Sequence, residues 1–191
     1  MTFVILRTER EIQIAYKRLA AAPAIGCDTE TSGLSPRTGR IFSVQFSDGE
    51  FSCLVPISEG VGLGRLEEIL ADSAVVKVFH NARFDVGFLR EAGIETKNVF
   101  CTMIAEKVLT KGADQSASLA ETLYRYFAID LDKAPRSKFT KKWNGIWTDD
   151  LVAYALADVA YLPRLMKEQR IWLGKLGLTE AFESQVLKAL G

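Results

Sequence analysis

Three strand-like runs, at 24–30, 40–47 and 50–56, constrain the fold of this chain most strongly. The second and third runs alternate apolar and polar residues, as strands with one buried face do. They are joined by "SDGE", and an Asp-Gly pair at the centre of a short connection favours a tight hairpin turn. The second and third runs are therefore predicted to form an antiparallel pair.

The rest of the chain alternates strand-like and helical patterns. "AVVKVF" reads as a buried strand and precedes a predicted helix over 81–91, and another short strand is expected at 98–101. A long helix is predicted from about Thr148 to the region before Gly174, bent where Pro163 removes a backbone donor. A hairpin followed by this alternation predicts an α/β fold, a mixed sheet flanked by helices, in a single domain spanning residues 1–191.

Composition limits the partners and the compartment. The 24 basic and 24 acidic residues balance, so any nucleic-acid binding must come from a local basic patch. No run has the length of a signal peptide's apolar region or of a membrane span, which predicts a cytoplasmic protein with no membrane partner. Cys27, Cys53 and Cys101 are widely spaced and odd in number, so they are expected to be buried apolar groups rather than a disulfide or zinc set.

Two carboxylates end the first of the three runs, in "IGCDTETSGL". Side chains two apart in a strand share a face, so Asp28 and Glu30 are predicted to point the same way at a carboxyl end, where ligands of α/β sheets commonly bind. A solvated surface pair is the alternative for these two residues alone.

Two further motifs place a carboxylate on a helix. In "HNARFD", Asp85 lies four residues after Asn81 and shares its helical face; in "YALAD", Tyr154 and Asp158 have the same spacing. The alternatives are a helix capped by Asn81 with an exposed Asp85, and a core tyrosine hydrogen-bonded to its aspartate. If the four carboxylates converge, they are hard oxygen ligands for Mg²⁺ or Mn²⁺, and two such ions would offset their repulsion and promote attack on a phosphodiester. Zinc is disfavoured, since His80 is the single histidine.

"DTETSGL", "HNARFD" and "YALAD" occur in the order and spacing of the DEDD superfamily of 3′→5′ exonucleases, in its tyrosine subgroup. Over about residues 2–170 the chain resembles the proofreading exonuclease domain of DNA polymerase I and the catalytic domain of ribonuclease D. The resemblance implies a ribonuclease H-like fold and two divalent ions, Mg²⁺ or Mn²⁺. It implies that four carboxylates bind these ions and that a tyrosine orients the attacking water: Asp28, Glu30, Asp85 and Asp158, with Tyr154. It further implies that Thr31, Leu34 and Asn81 contact the terminal nucleotide, with Leu34 wedged against its base. His80 is not needed by this mechanism and is left out of catalysis.

A basic segment with interspersed aromatic residues, "LDKAPRSKFTKKWNGIW", lies between the second and third motifs. Lysines follow phosphates and aromatic faces stack on unpaired bases, so Lys138 and Lys141 are predicted to bind substrate. For Trp143 and Trp147, stacking on substrate and burial in the core are both open.

The expected reaction is removal of nucleotides from the 3′ end of single-stranded or frayed DNA. "GLTEAFESQVLKALG" slightly resembles the connection between exonuclease and polymerase in the polymerase I family, which favours DNA over RNA. A separate polymerase or repair protein is a candidate partner. Ribonuclease D-like trimming of RNA is the alternative. A non-catalytic nucleic-acid-binding module is a third reading, opposed by the presence of all four carboxylates and the tyrosine.

Overall fold

A computed structural model describes residues 2–111, 113–131, 139–140 and 142–191. Its sheet has six strands in the order β1-β4-β3-β2-β5-β6. Their bounds are β1 Thr2–Ile5, β2 Ala24–Thr31, β3 Ile41–Ser47, β4 Phe51–Val55, β5 Val76–Phe79 and β6 Val99–Cys101. The predicted strands are thus present, each within about two residues of its expected bounds.

The sheet is mixed, as predicted. β3 pairs antiparallel with both β2 and β4, whereas β2, β5 and β6 run parallel to one another. The hairpin turn between β3 and β4 is stabilised by Asp48, whose carboxylate accepts hydrogen bonds from the backbone N–H groups of Glu50 and Phe51. Gly49 follows with a φ of 97°, a conformation that glycine adopts without strain.

Eight α-helices accompany the sheet in the described residues. They are α1 Glu9–Leu19, α2 Leu66–Ala71, α3 Ala82–Glu91, α4 Thr102–Leu109, α5 Leu119–Phe127, α6 Asp149–Ala160, α7 Leu162–Lys175 and α8 Thr179–Leu190. No helix in the described part of the chain is both long and apolar enough to cross a membrane.

The prediction of one long bent helix after Thr148 was wrong. The structure has two helices, α6 and α7, separated at Tyr161, and Pro163 lies in the first turn of α7. Proline is tolerated in a first turn, because its missing N–H would have no partner there in any case. The proline therefore starts a new helix instead of bending an existing one.

The core lies between the sheet and the helices packed against it. Cys27, Cys53 and Cys101 are all buried and free, as expected. Burial raises the pKa of the Cys27 and Cys53 thiols, which keeps both groups neutral.

One glycine brings a helix unusually close to the sheet. A Cβ on Gly26 of β2 would lie 2.5 Å from the carbonyl oxygen of Val159 and 3.1 Å from the Cβ of Leu162. Only a residue without a side chain permits this approach, which packs the junction of α6 and α7 directly on β2. Val159 directly follows Asp158, so the contact lies beside one of the predicted site residues.

Candidate active site

Three of the four predicted carboxylates come together at the carboxyl end of β2. Asp28, Glu30 and Asp158 each place a carboxylate oxygen within 4.8 Å of the others. The strand alternation predicted for Asp28 and Glu30 is observed, opposite Gln45 and Ser43 of β3. Glu30 is buried and the other two are half-buried, so the solvated surface pair is excluded as a description of these residues.

Asp85 lines the same cleft from the first turn of α3. Its Oδ1 accepts two hydrogen bonds from Thr29, one from the backbone N–H at 3.0 Å and one from the hydroxyl at 2.7 Å. β5 pairs with β2 only over Ala24–Gly26. Beyond this pairing, the backbone N–H of Thr29 donates to the Asp85 carboxylate instead of to a neighbouring strand. Asp85 is only 2% exposed, contrary to the alternative of a solvent-facing helix residue.

The β5–α3 junction is formed by Asn81, which has φ 68° and ψ 47°. Asparagine is among the few residues that adopt this left-handed conformation readily. Its side chain makes no capping hydrogen bond, so the capping alternative is wrong, and Asn81 is exposed on the wall of the cleft.

The neighbouring His80 also lines the cleft. Its Nδ1 lies 2.8 Å from the Thr102 hydroxyl, which donates to the carbonyl of Phe79. The imidazole is therefore the donor in its contact with Thr102. Burial lowers the pKa of His80 to about 4, so the ring is neutral at pH 7.

Tyr154 lines the opposite wall, one helical turn before Asp158. Its ring stacks on Phe139, with centroids 6.2 Å apart and an interplanar angle of 29°. Phe139 also contacts Trp143 and Trp147 at centroid distances of 5.2 and 5.4 Å. The Tyr154 ring is thus held by an aromatic cluster.

The two tryptophans differ in burial. Trp147 is 6% exposed and its indole N–H donates to Ser58, so for this residue burial in the core, one of the two open alternatives, is observed. Trp143 is half-buried and packs edge-on against the core residue Phe42. Lys138 and Lys141 lie outside the residues that the structure describes.

The other residues expected to contact substrate lie at the mouth of the cleft. Leu34 is 85% exposed, which leaves its side chain accessible to a base. Thr31 is buried, and its hydroxyl donates to the carbonyl of Gly33 at 2.9 Å, so it shapes the turn that presents Leu34. The whole cleft has a volume of about 400 Å³.

Sequence reasoning missed Gly26 and Thr29. A glycine inside a strand is a recognised sign of close backbone approach, and this signal was available for Gly26. Thr29 carried no signal, because a threonine between two acidic residues is an ordinary strand residue.

The donor set fits a hard divalent cation. Three carboxylate oxygens within 4.8 Å of one another repel, and Mg²⁺ or Mn²⁺ prefers oxygen ligands of this kind. Divalent ions bound by oxygen ligands promote displacement at phosphorus in phosphatases, polymerases and nucleases.

Comparison with known proteins shows which family the chain belongs to. The profile of the 3′-5′ exonuclease family matches residues 3–170. Ribonuclease D of Jannaschia sp. (strain CCS1) is 31% identical over 188 residues, covering 95% of this chain and 47% of that protein. DNA polymerase I of Aquifex aeolicus is 29% identical over 177 residues, covering 92% of this chain and 29% of that protein. The chain thus spans about half or less of the length of these relatives.

A solved structure of a related protein has the same fold. Brucella melitensis NrnC with bound Mg²⁺ superposes with a TM-score of 0.82 at 27% identity, covering 100% of this chain and 90% of that one. The chain belongs to the 3′-5′ exonuclease family. Its fold is the mixed α/β fold of these exonucleases, as the sequence resemblance implied. The expected preference for DNA over RNA finds no support here, since ribonuclease D stands beside DNA polymerase I among the relatives.

Proposed function

We propose that the chain is a metal-dependent 3′→5′ exoribonuclease that releases nucleoside monophosphates from the 3′ end of single-stranded RNA. The observation that carries the proposal is the approach of Asp28, Glu30 and Asp158 within 4.8 Å at the mouth-facing end of β2. Like charges this close disfavour each other's ionised form, and a bound divalent cation would offset their repulsion.

The choice of RNA rests on the relatives. Ribonuclease D is at 31% identity, and the Brucella melitensis NrnC fold, which covers the whole chain, has also been solved bound to pGG. The tail resemblance to polymerase I that favoured DNA involves α8, which lies outside the matched residues 3–170. RNA is therefore the better supported substrate.

In this proposal, Asp28, Glu30, Asp85 and Asp158 would hold two divalent ions, which would supply Lewis acidity at the scissile phosphate and lower the pKa of the attacking water. Mg²⁺ is favoured by the Mg²⁺-bound relative. The Thr29 hydrogen bonds fix the Asp85 carboxylate in the orientation in which it serves this purpose.

The remaining residues position substrate and water. The Tyr154 hydroxyl orients the attacking water by a hydrogen bond, and its stacking on Phe139 keeps the ring in place. Leu34 packs against the terminal base, while Thr31 and Asn81 border the terminal nucleotide. Water adds to phosphorus and the bond to the 3′ oxygen breaks, leaving a 3′-hydroxyl on the shortened chain and a 5′-phosphate on the released nucleotide.

The test is digestion of 5′-labelled single-stranded RNA and a DNA of the same sequence, with Mg²⁺, with Mn²⁺ and with EDTA. We expect a ladder of shortening RNA products with either metal, none with EDTA, and slower cleavage of DNA. Faster cleavage of DNA would restore the polymerase I-like reading. No cleavage of either substrate by folded protein would refute the exonuclease proposal and favour a non-catalytic binding module.

A further inference from the structure

A second groove, of about 850 Å³, opens beside the candidate active site. It shares Leu34, Asn81 and Phe84 with the catalytic cleft, so the two are continuous across these side chains. The charged side chains that line it are four cations and one anion: Arg37, Arg83, Arg90 and Lys188, with Glu91. We call it the basic groove.

Three separate segments bring these cations together. Arg83 and Arg90 are seven residues apart on α3 and therefore share a face of the helix. Between them, Gly87 allows close approach of the loop that carries Arg37, since a Cβ there would lie 3.3 Å from Cγ of Pro36.

The third segment is the end of α8, which carries Lys188. The Arg90 guanidinium donates to the carbonyl of Leu190 and so joins α8 to α3. The positive charges of the groove thus come from residues that are distant in sequence but adjacent in the fold.

Within the described part of the chain, these four cations form no side-chain ion pair. Over the described residues, the side-chain ion pairs within 4.0 Å include none of the four cations. All four side chains are exposed. In a chain whose net charge is zero, this is a local excess of positive charge directly beside an acidic cleft.

We propose that the basic groove binds the backbone phosphates of the nucleotides that lie 5′ to the scissile bond. The inference rests on the proposed function, since it takes the carboxylates to hold the 3′-terminal phosphodiester. A strand with its end in the cleft has an exit past Leu34, Asn81 and Phe84 into the basic groove, and its phosphates then meet exposed cations. Phosphate contacts of this kind supply affinity without base specificity and are weakened by salt.

The test compares a groove variant with a matched control. Arg37→Gln/Lys188→Gln removes two groove cations without touching Arg83, which adjoins the candidate site, or Arg90, which joins α3 to α8. Arg10→Gln/Lys167→Gln removes two exposed cations on α1 and α7 that lie in neither the cleft nor the groove. Both variants therefore make the same change in net charge.

Each protein is assayed on a dinucleoside monophosphate, whose single phosphate is the scissile one, and on single-stranded RNA of about ten nucleotides. For the longer RNA, we expect the groove variant to lower kcat/KM by about 3- to 10-fold at low salt, mainly through KM. The slope of log(kcat/KM) against log[KCl] should become shallower by about 1.4, because each of the two lost phosphate contacts contributes about 0.7 to the slope. For the dinucleoside monophosphate, the groove variant should match the wild type.

Binding of the longer labelled RNA, measured by fluorescence anisotropy in EDTA, should weaken in the groove variant in the same proportion. Equal behaviour of groove and control variants on the longer RNA would overturn the inference, as would an equal loss on both substrates. If the wild-type chain cleaves neither substrate, the proposed function fails. The groove inference then depends on the anisotropy comparison alone.

Discussion

Two groups of side chains in this chain, each built around carboxylates or a single carboxylate, have opposite electrostatic surroundings. At the carboxyl end of β2, Asp28, Glu30 and Asp158 bring three like charges within 4.8 Å. On α4, Glu106 instead lies 3.0 Å from the Arg125 guanidinium and 3.1 Å from the Gln169 amide. The first group concentrates negative charge, and the second neutralises it.

The two groups show that burial does not by itself identify a functional carboxylate. Glu30 is 8% exposed and Glu106 is 3% exposed, so burial would rank Glu106 first. The neighbours separate the two: Glu106 joins α4 to α5 and α7 through opposite charge and hydrogen bonds, whereas Glu30 faces other acids. We therefore expect changes at the first group to affect activity and changes at the second to affect stability.

The largest expected effect is that of Asp158→Asn. Removing one charge from the acidic group should lower RNA hydrolysis about a thousandfold, because the remaining carboxylates hold the ions poorly. The melting temperature without metal should be unchanged or higher, since like-charge repulsion is relieved. Loss of cooperative melting would instead make Asp158 a core-packing residue and contradict the comparison.

Gly26→Ala should affect both properties, because Gly26 is the contact through which α6 sits on β2. The added Cβ would lie 2.5 Å from the carbonyl oxygen of Val159, so the backbone of β2 or of α6 must move. We expect a loss of about 2–3 kcal/mol in the free energy of unfolding, measured in urea, and lower kcat as Asp158 moves from Asp28 and Glu30. Gly174→Ala, at a glycine with open space around it, is the control. Full activity in a destabilised Gly26→Ala protein would show that this contact does not set the carboxylate geometry.

Glu106→Gln should affect stability alone. The substitution keeps the size of the side chain but removes its charge beside Arg125, which is itself 28% exposed. Because Arg125 is partly exposed, breaking this pair should cost less than breaking a fully buried one. We expect a loss of about 2 kcal/mol in the free energy of unfolding. The rate per folded molecule at saturating RNA should match the wild type, and a thousandfold fall in that rate would remove the distinction between the two groups.

The sequence predicted the acidic group better than the paired one. Strand and helix periodicity placed Asp28, Glu30 and Asp158 on defined faces, and the resemblance of three ordered motifs to the DEDD exonucleases implied that they come together. Glu106 gave no such signal, since its partners Arg125 and Gln169 lie on other helices, 19 and 63 residues away. Pairing at such separations follows from tertiary packing, which local patterns do not encode.

The same reason explains the errors in the fold. The strands and the β3–β4 hairpin follow from alternation and turn chemistry, which are local. The interruption at Tyr161 was predicted only as a bend, because the role of Pro163 depends on whether the preceding turn continues, and that depends on how α6 and α7 pack against the sheet. The basic groove was missed because its cations come from α3, α8 and the loop after β2.

The smallest expected effects are those of removing the hydroxyl of one tyrosine beside each group. Tyr154→Phe should lower kcat about tenfold with little change in KM or unfolding free energy, because only the hydroxyl that orients water is lost while the ring still stacks on Phe139. Tyr126 lies beside Glu106, and burial together with that carboxylate raises the pKa of its phenol, which keeps it a neutral hydrogen-bond donor. Tyr126→Phe should therefore cost about 1 kcal/mol of stability and leave kcat unchanged. Measuring kcat and urea unfolding for both variants checks the assignment, and an unchanged kcat for Tyr154→Phe would refute the water-orienting role.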